Sequence, residues 1–151
     1  MPQIKDLPWA QPAQPIAGVG LQGNAPVRFP YIHAPTGYTI IITDTNEPVI
    51  AGPQRRARFR SPADQLIDIL TASVDVASSA GDVLVDLQVD GVSILGEGSY
   101  IRVPEGQRTS VGFDPQPVIA TPLIAFDSEV IPVIAGAGTG ATGLQVNVRN
   151  Q

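Results

Sequence analysis

The chain of 151 residues contains no cysteine. Disulfides, thiolate metal sites and a cysteine nucleophile are excluded, and with them any redox clue to compartment. Histidine occurs once, as His33, so a Ser–His–Asp triad would have to use it. It lies in a proline-rich stretch, Tyr31-Ile32-His33-Ala34-Pro35, and the nucleophile-elbow pattern Gly-x-Ser-x-Gly occurs nowhere. A base needs a positioned nucleophile and an orienter; neither can be named, so no catalytic residue is assigned and no enzyme is expected. Charged residues make up only 15%, against about a quarter in ordinary domains. The net charge of −5 and a pI near 4.6 exclude a general nucleic-acid binder, which needs a basic surface to displace counterions from phosphates. No apolar run approaches the roughly 18 residues of a membrane span, and Met1-Pro2-Gln3-Ile4-Lys5 has no apolar signal-peptide core. A soluble chain made in a cytosol, with no membrane partner, is expected.

What the sequence does have is 43% hydrophobic residues, fifteen glycines and fifteen prolines. Many chain breakers beside many β-branched residues point to short strands and turns and away from a helical bundle. The length is that of one domain, or one domain plus an arm. Seven prolines (Pro2, Pro8, Pro12, Pro15, Pro26, Pro30, Pro35) fall in residues 1–35. Each fixes φ and deletes a backbone donor, so an extended arm is expected there. The arm carries Ile4, Leu7, Trp9 and Ile16, which a purely solvated linker has little reason to hold. Either it docks on another chain with Trp9 as an anchor, or it folds back on its own domain.

Residues 36–151 read as strands. Tyr38-Thr39-Ile40-Ile41-Ile42-Thr43 is β-branched and ends at Asp44-Thr45-Asn46-Glu47-Pro48. Gln54 to Arg60 reads as another strand. Leu66, Leu70, Ala72, Val74 and Val76 share one parity, with Ile67, Asp68 and Ile69 breaking it; strand is preferred over a helical turn because Thr71 to Val76 alternates. Val83, Val85, Leu87 and Val89 alternate with Asp82, Asp86, Gln88 and Asp90, the pattern of one buried and one wet face. Asp90-Gly91 is a hairpin turn leading to Val92-Ser93-Ile94-Leu95. Tyr100 to Val103, Val130 to Ala135 and Leu144 to Val148 complete roughly seven to nine strands. That spacing predicts an all-β antiparallel β-sandwich, jelly-roll-like, behind the N-terminal arm.

Three constellations invite chemistry. Gly138-Thr139-Gly140-Ala141-Thr142-Gly143 matches the dinucleotide pattern G-x-G-x-x-G, but the next residues alternate like a strand and no acidic residue follows about 20 positions on. It reads as a flexible hairpin loop, and no cofactor is assigned. Asp82, Asp86 and Asp90 share a strand face but sit about 13 Å apart, too far to close on one calcium ion; a solvated face is the reading, and no metal site is assigned. Arg55, Arg56, Arg58 and Arg60 form the basic cluster. Residues 1–60 carry six basic and three acidic groups, and residues 61–131 carry two basic and eleven acidic ones. The arginines can bind an acidic partner surface or a neighbouring copy's acidic strands, or keep an edge strand from aggregating.

From Phe59 to Val148 the sequence resembles a family of small jelly-roll domains on the virions of tailed bacteriophages. The resemblance rests on Phe59-Arg60-Ser61-Pro62-Ala63-Asp64 before an apolar strand, the hairpin Ala80 to Leu95 around Asp90-Gly91, Phe126-Asp127-Ser128-Glu129-Val130-Ile131-Pro132-Val133, and the closing Gly143-Leu144-Gln145-Val146-Asn147-Val148. It is a pattern of turns and alternation over about 60% of the chain, with no catalytic motif. It implies a virion protein, commonly trimeric: a capsid decoration (cement) protein, a head fibre or a tail-fibre domain. No long repetitive shaft is present, so the decoration role is favoured. The expected partners are the major capsid protein, further copies in a homotrimer and neighbouring decoration subunits. The expected location is the outer capsid surface, after synthesis in the host cytoplasm. Ile4, Leu7, Trp9, Ile16, Arg55, Arg56, Arg58 and Arg60 are the expected partner contacts. The alternative is a receptor- or glycan-binding jelly roll of a fibre, which would use Trp9, Tyr31, Tyr38 or Tyr100 to stack on sugar rings.

Overall fold

β-branched runs broken at short intervals by glycine, proline and aspartate become strands in the structure, a computed structural model that describes residues 36–151. The ten strands among these residues are β1 (Thr36–Ile41), β2 (Gly52–Pro53), β3 (Phe59–Arg60), β4 (Gln65–Ser73), β5 (Val83–Val89), β6 (Val92–Ser93), β7 (Ile101–Val103), β8 (Leu123–Ile124), β9 (Glu129–Ala137) and β10 (Gln145–Asn150). They form two antiparallel sheets. One has the order β1-β10-β4-β8; the other runs β2-β9-β5-β6, with β3 also on β9 and β7 also on β5. This is the expected all-β sandwich. Among the described residues no helix is long and apolar enough to cross a membrane.

The core is aliphatic and lies between the sheets. Val83, Val85 and Leu87 of β5 are wholly buried, as are Val130 of β9, Ile101 of β7 and Val146 of β10. Ile67, Leu70 and Ala72 of β4 meet them from the opposite sheet. Each such Val, Leu or Ile side chain contributes about 1.5–3 kcal/mol through removal from water. The Asp90-Gly91 hairpin forms as the dipeptide predicts. Val89 pairs Val92, and the two turn residues have φ of 50° and 85°, as a type I′ turn requires.

Several expectations need correction. The irregularity at Ile67-Asp68-Ile69 is a β-bulge. Arg149 of β10 faces Ile69, while Asn150 faces Ile67. One surplus residue flips the parity, so Ile67 and Leu70 both point inward. Leu66, which shares a parity with the buried Leu70 and Ala72, is 43% exposed, and Val76 is also exposed.

The segment from Gln54 to Arg60 is not one strand. Gln54 N–H donates to Pro132 O, and Phe59 pairs Val130, so this edge carries more residues than β9 can match. The surplus, Arg55–Ala57, coils into a 3-10 turn. Pro132 explains the site of the break. In a strand the N–H and C=O of one residue point to the same side, so the donor that proline lacks would have faced this edge.

The wet face of β5 is also not wholly wet. Asp86 is buried and accepts hydrogen bonds from the Ser93 hydroxyl and the Gln88 amide. The chain between β6 and β8 covers the neighbouring Leu84, which lines a cleft with Tyr100, Arg102, Pro115, Gln116 and Val118. Finally, Gly138 to Gly143 is not a hairpin, because β9 and β10 belong to different sheets. It is a crossover, pinned along its length. Thr139 N–H donates to Ser78 Oγ at 2.9 Å, Ser79 N–H to Thr139 O at 2.8 Å, and Val49 N–H to Ala141 O at 3.0 Å.

Candidate functional site

The 3-10 turn and β3 present the arginines along the β2–β3 edge of one sheet. All four are exposed. Arg56 pairs with Glu47. Arg58 Nη1 lies 3.3 Å from Glu129 Oε2, the residue that stands opposite Arg60 in the ladder. Arg60 Nη1 donates to the Asp127 carbonyl at 2.7 Å, with the Asp127 carboxylate at 3.7 Å. Exposed pairs of this kind contribute about 0–1 kcal/mol each. These three guanidinium groups are thus held in place on the surface while most of their area stays in water. Such an array fits an acidic partner surface, and it also fits a guarded sheet edge. The other expected contacts, Ile4, Leu7, Trp9 and Ile16, lie outside the described residues, as do the whole expected arm, His33 and Tyr31.

A cleft that the sequence did not flag opens beside this edge. Tyr38 of β1 and Phe59 of β3 meet edge to face, ring centroids 5.8 Å apart. Together with Pro62, Ala63, Asp64, Gln65 and Asn150 they line a mostly apolar cavity of about 450 Å³. Burial pushes the Tyr38 phenol up from its ordinary value, and the nearby Gln65 side chain partly opposes this. The orientation of the buried Gln65 amide follows from its neighbour. The Ser61 hydroxyl donates its one proton to Ala63 O at 2.7 Å, so it must accept from Gln65 Nε2 at 2.6 Å. Gln65 Oε1 therefore faces away from Ser61 and has no partner among the described residues; neither do Tyr38 Oη and Asn150 Oδ1. The lining residues come from separate segments, and this is why spacing along the chain gave no sign of them. The faint signal was that Tyr38 and Phe59 are two of the few aromatics.

The acidic row disperses into structural roles. Asp82 accepts from Arg102 Nε at 2.6 Å and from Glu105 N–H at 2.9 Å; the Arg102 guanidinium holds its carboxyl below the ordinary value, and the backbone donor adds to this. Asp90 accepts from Glu129 N–H at 2.9 Å and so ties the β5–β6 hairpin to β9. Among the described residues no group of three or more His, Cys, Asp or Glu side chains is placed to hold a metal ion. In the glycine crossover, a Cβ on Gly138 would lie 2.4 Å from Ser78 Oγ, and one on Gly143 would lie 2.1 Å from Asp75 Oδ2. These glycines are filled up to by their own chain, which accounts for them without a phosphate. No protein family, curated protein or solved structure matches the sequence or the fold.

Proposed function

We propose that this chain is a virion structural protein: a capsid decoration protein of a tailed bacteriophage. In this reading it binds the outer capsid surface through its N-terminal segment and through the rim of its β-sandwich, and it performs no chemistry. The observation that carries the reading is the row of four exposed arginines displayed on one edge of a tightly packed all-β body. A capsid presents the same acceptor surface many times over. Modest charged contacts repeated by symmetry then act at high effective concentration, and arginine suits planar recognition of carboxylates. The resemblance to phage jelly-roll domains points the same way and adds the expectation of a homotrimer that contacts the major capsid protein and neighbouring decoration subunits. Ile4, Leu7, Trp9 and Ile16 would supply the apolar part of the attachment.

The test is co-sedimentation with capsids that lack the protein. Full-length protein should pellet with particles at saturating stoichiometry. Deletion of residues 1–25 should lower occupancy at least tenfold, and raising the salt should weaken what remains, because the rim contacts are charged. Full occupancy by the truncated protein would refute the role of the leading segment.

A fibre-tip glycan reading has one feature in its favour. Tyr100 lines a cleft of about 230 Å³ with Glu97, Arg102 and Gln116, a setting that mixes an aromatic ring with polar groups. Binding on a glycan array that is lost on Tyr100→Ala would support that reading over decoration.

A further inference from the structure

The sheet edges of this domain are protected unequally. Natural sandwiches blunt their edges by keeping edge strands short or by charging them. Most edges here follow that rule. The β2–β3 edge has two-residue strands and four arginines. Strands β6 and β8 are also two residues long, and β7 is three. Strand β1 is different. It is six residues long, Thr36-Gly37-Tyr38-Thr39-Ile40-Ile41, it contains neither charge nor proline, and β10 is its one partner among the described residues.

Which backbone groups of β1 are open follows from the ladder. Ile42 N–H donates to Leu144 O at 3.0 Å, so Ile42 faces β10. Antiparallel strands alternate, and Ile40, Tyr38 and Thr36 face β10 as well. The N–H and C=O groups of Gly37, Thr39 and Ile41 therefore point away from β10, toward no other strand among the described residues.

We infer that the open edge of β1 pairs with β1 of a second copy, antiparallel, about a two-fold axis at Thr39. This inference does not depend on the capsid reading, and its two-fold pair is an alternative to the homotrimer which that reading expects. Register and side chains select the partner. With Thr39 opposite its own copy, Gly37 stands opposite Ile41 and Ile41 opposite Gly37, and all three are residues whose backbone groups are open. Ile41 is 62% exposed and projects from the outer face of its sheet. Gly37 has no side chain and sits in a depression of about 380 Å³ on that same face, lined by Thr39, Ile69, Thr71, Asn147 and Arg149. The projecting side chain of each copy enters the depression of the other, as an isologous contact requires. No charged residue of β1 meets its own image. The β2–β3 edge could not pair in this way, because its arginines would be brought face to face.

The absence of cysteine gives a clean test. In the paired register the two Thr39 Cα atoms lie about 5.5 Å apart, within the disulfide range of about 4.4–6.8 Å. Purified full-length T39C, oxidised at micromolar concentration, should form a covalent dimer at least tenfold faster than V92C, whose residue is 70% exposed at the far edge of the other sheet. Thr39→Pro removes an outward-facing donor, which an edge strand tolerates, and the exposed hydroxyl bond to Asn147 Oδ1 at 2.7 Å, a bond that Thr39→Val also removes. This variant should keep the wild-type circular dichroism and lose half or more of the sedimenting mass, while Thr39→Val keeps both. If Thr39→Pro alters the circular dichroism, Thr39→Lys replaces it, since it places two ammonium groups across the axis. Equal cross-linking of T39C and V92C overturns the inference, as does a monomeric wild type or a folded edge variant with wild-type mass. An edge occupied by another segment or by another protein would register as one of these outcomes.

Discussion

The glycine crossover offers the most exacting test of the packing. Consider Gly138→Ala beside Gly140→Ala, two residues apart in the same loop. Both glycines have positive φ, 65° and 77°, so alanine at either site costs about 1–2 kcal/mol from the left-handed backbone alone. Their surroundings differ. A Cβ at Gly140 meets nothing closer than Ser79 Oγ at 3.9 Å, whereas one at Gly138 would lie 2.4 Å from Ser78 Oγ and 2.8 Å from Ser78 Cβ. Ser78 is 2% exposed and has nowhere to swing. Its hydroxyl donates to Ala80 O at 2.8 Å and accepts from Thr139 N–H at 2.9 Å. Displacing it orphans a backbone donor, at about 1–3 kcal/mol. Gly138→Ala should therefore cost about 2–5 kcal/mol and Gly140→Ala about 1–2 kcal/mol. Urea denaturation followed by circular dichroism reads the difference. With an m-value of about 1–3 kcal/mol/M, the Gly138→Ala midpoint should fall below that of Gly140→Ala by about 1 M. Adding Ser78→Gly to Gly138→Ala should recover part of the loss in a double-mutant cycle. Midpoints that agree within error would refute the claim that Ser78 fills the space over Gly138.

Three further outcomes are expected. Ile67→Asp should unfold the domain or cost more than about 4 kcal/mol, because it buries an unpaired carboxylate, while Leu66→Asp, one residue away, should change the thermal midpoint little; similar effects at the two positions would remove the bulge. Leu87→Ala should cost about 2–5 kcal/mol by opening a cavity in the core, with no loss of far-UV signal at low denaturant. Asp82 has a lowered carboxyl pKa in the folded state, so its contribution to stability is present above its unfolded value, near 3.8, and is lost as pH falls through the lower folded value; the acid limb of a pH–stability curve should therefore flatten in Asp82→Asn, which should itself lose about 1 kcal/mol at pH 7 through its partly exposed bonds to Arg102 and Glu105.

Most of the longer strands were legible because one-sided burial writes itself into the sequence as alternation, whereas their order in the sheets was not. Val83, Val85 and Leu87 announced the central strand, and Asp90-Gly91 announced its turn. The misreadings at β4 and at the arginine segment share a cause: each arose where a long-range partner overrode a local pattern. The parity of β4 switches because β10 is one residue short opposite Asp68. The arginine segment coils because it must match β9 across Pro132. Asp86 is buried because Ser93 and Gln88 satisfy it there. The same reasoning explains the cleft. Tyr38, Phe59, Gln65 and Asn150 are neighbours only once both sheets exist, so no window of sequence contains them. The four arginines, by contrast, sit together in the chain and remain together on the surface.

The position of β10 sets a timetable for biosynthesis. It lies between β1 and β4, so its sheet lacks a middle until residues Gln145–Asn150 have been translated. While the ribosome works through the intervening hundred or so residues, Thr36–Ile41 has no lane to occupy, and a neutral β-branched stretch left waiting is a nascent-chain hazard. Completion is then abrupt, since one short piece zips to both of its neighbours at once. Deletion of Gln145–Asn150 should thus cost soluble yield in expression far more than six residues would imply.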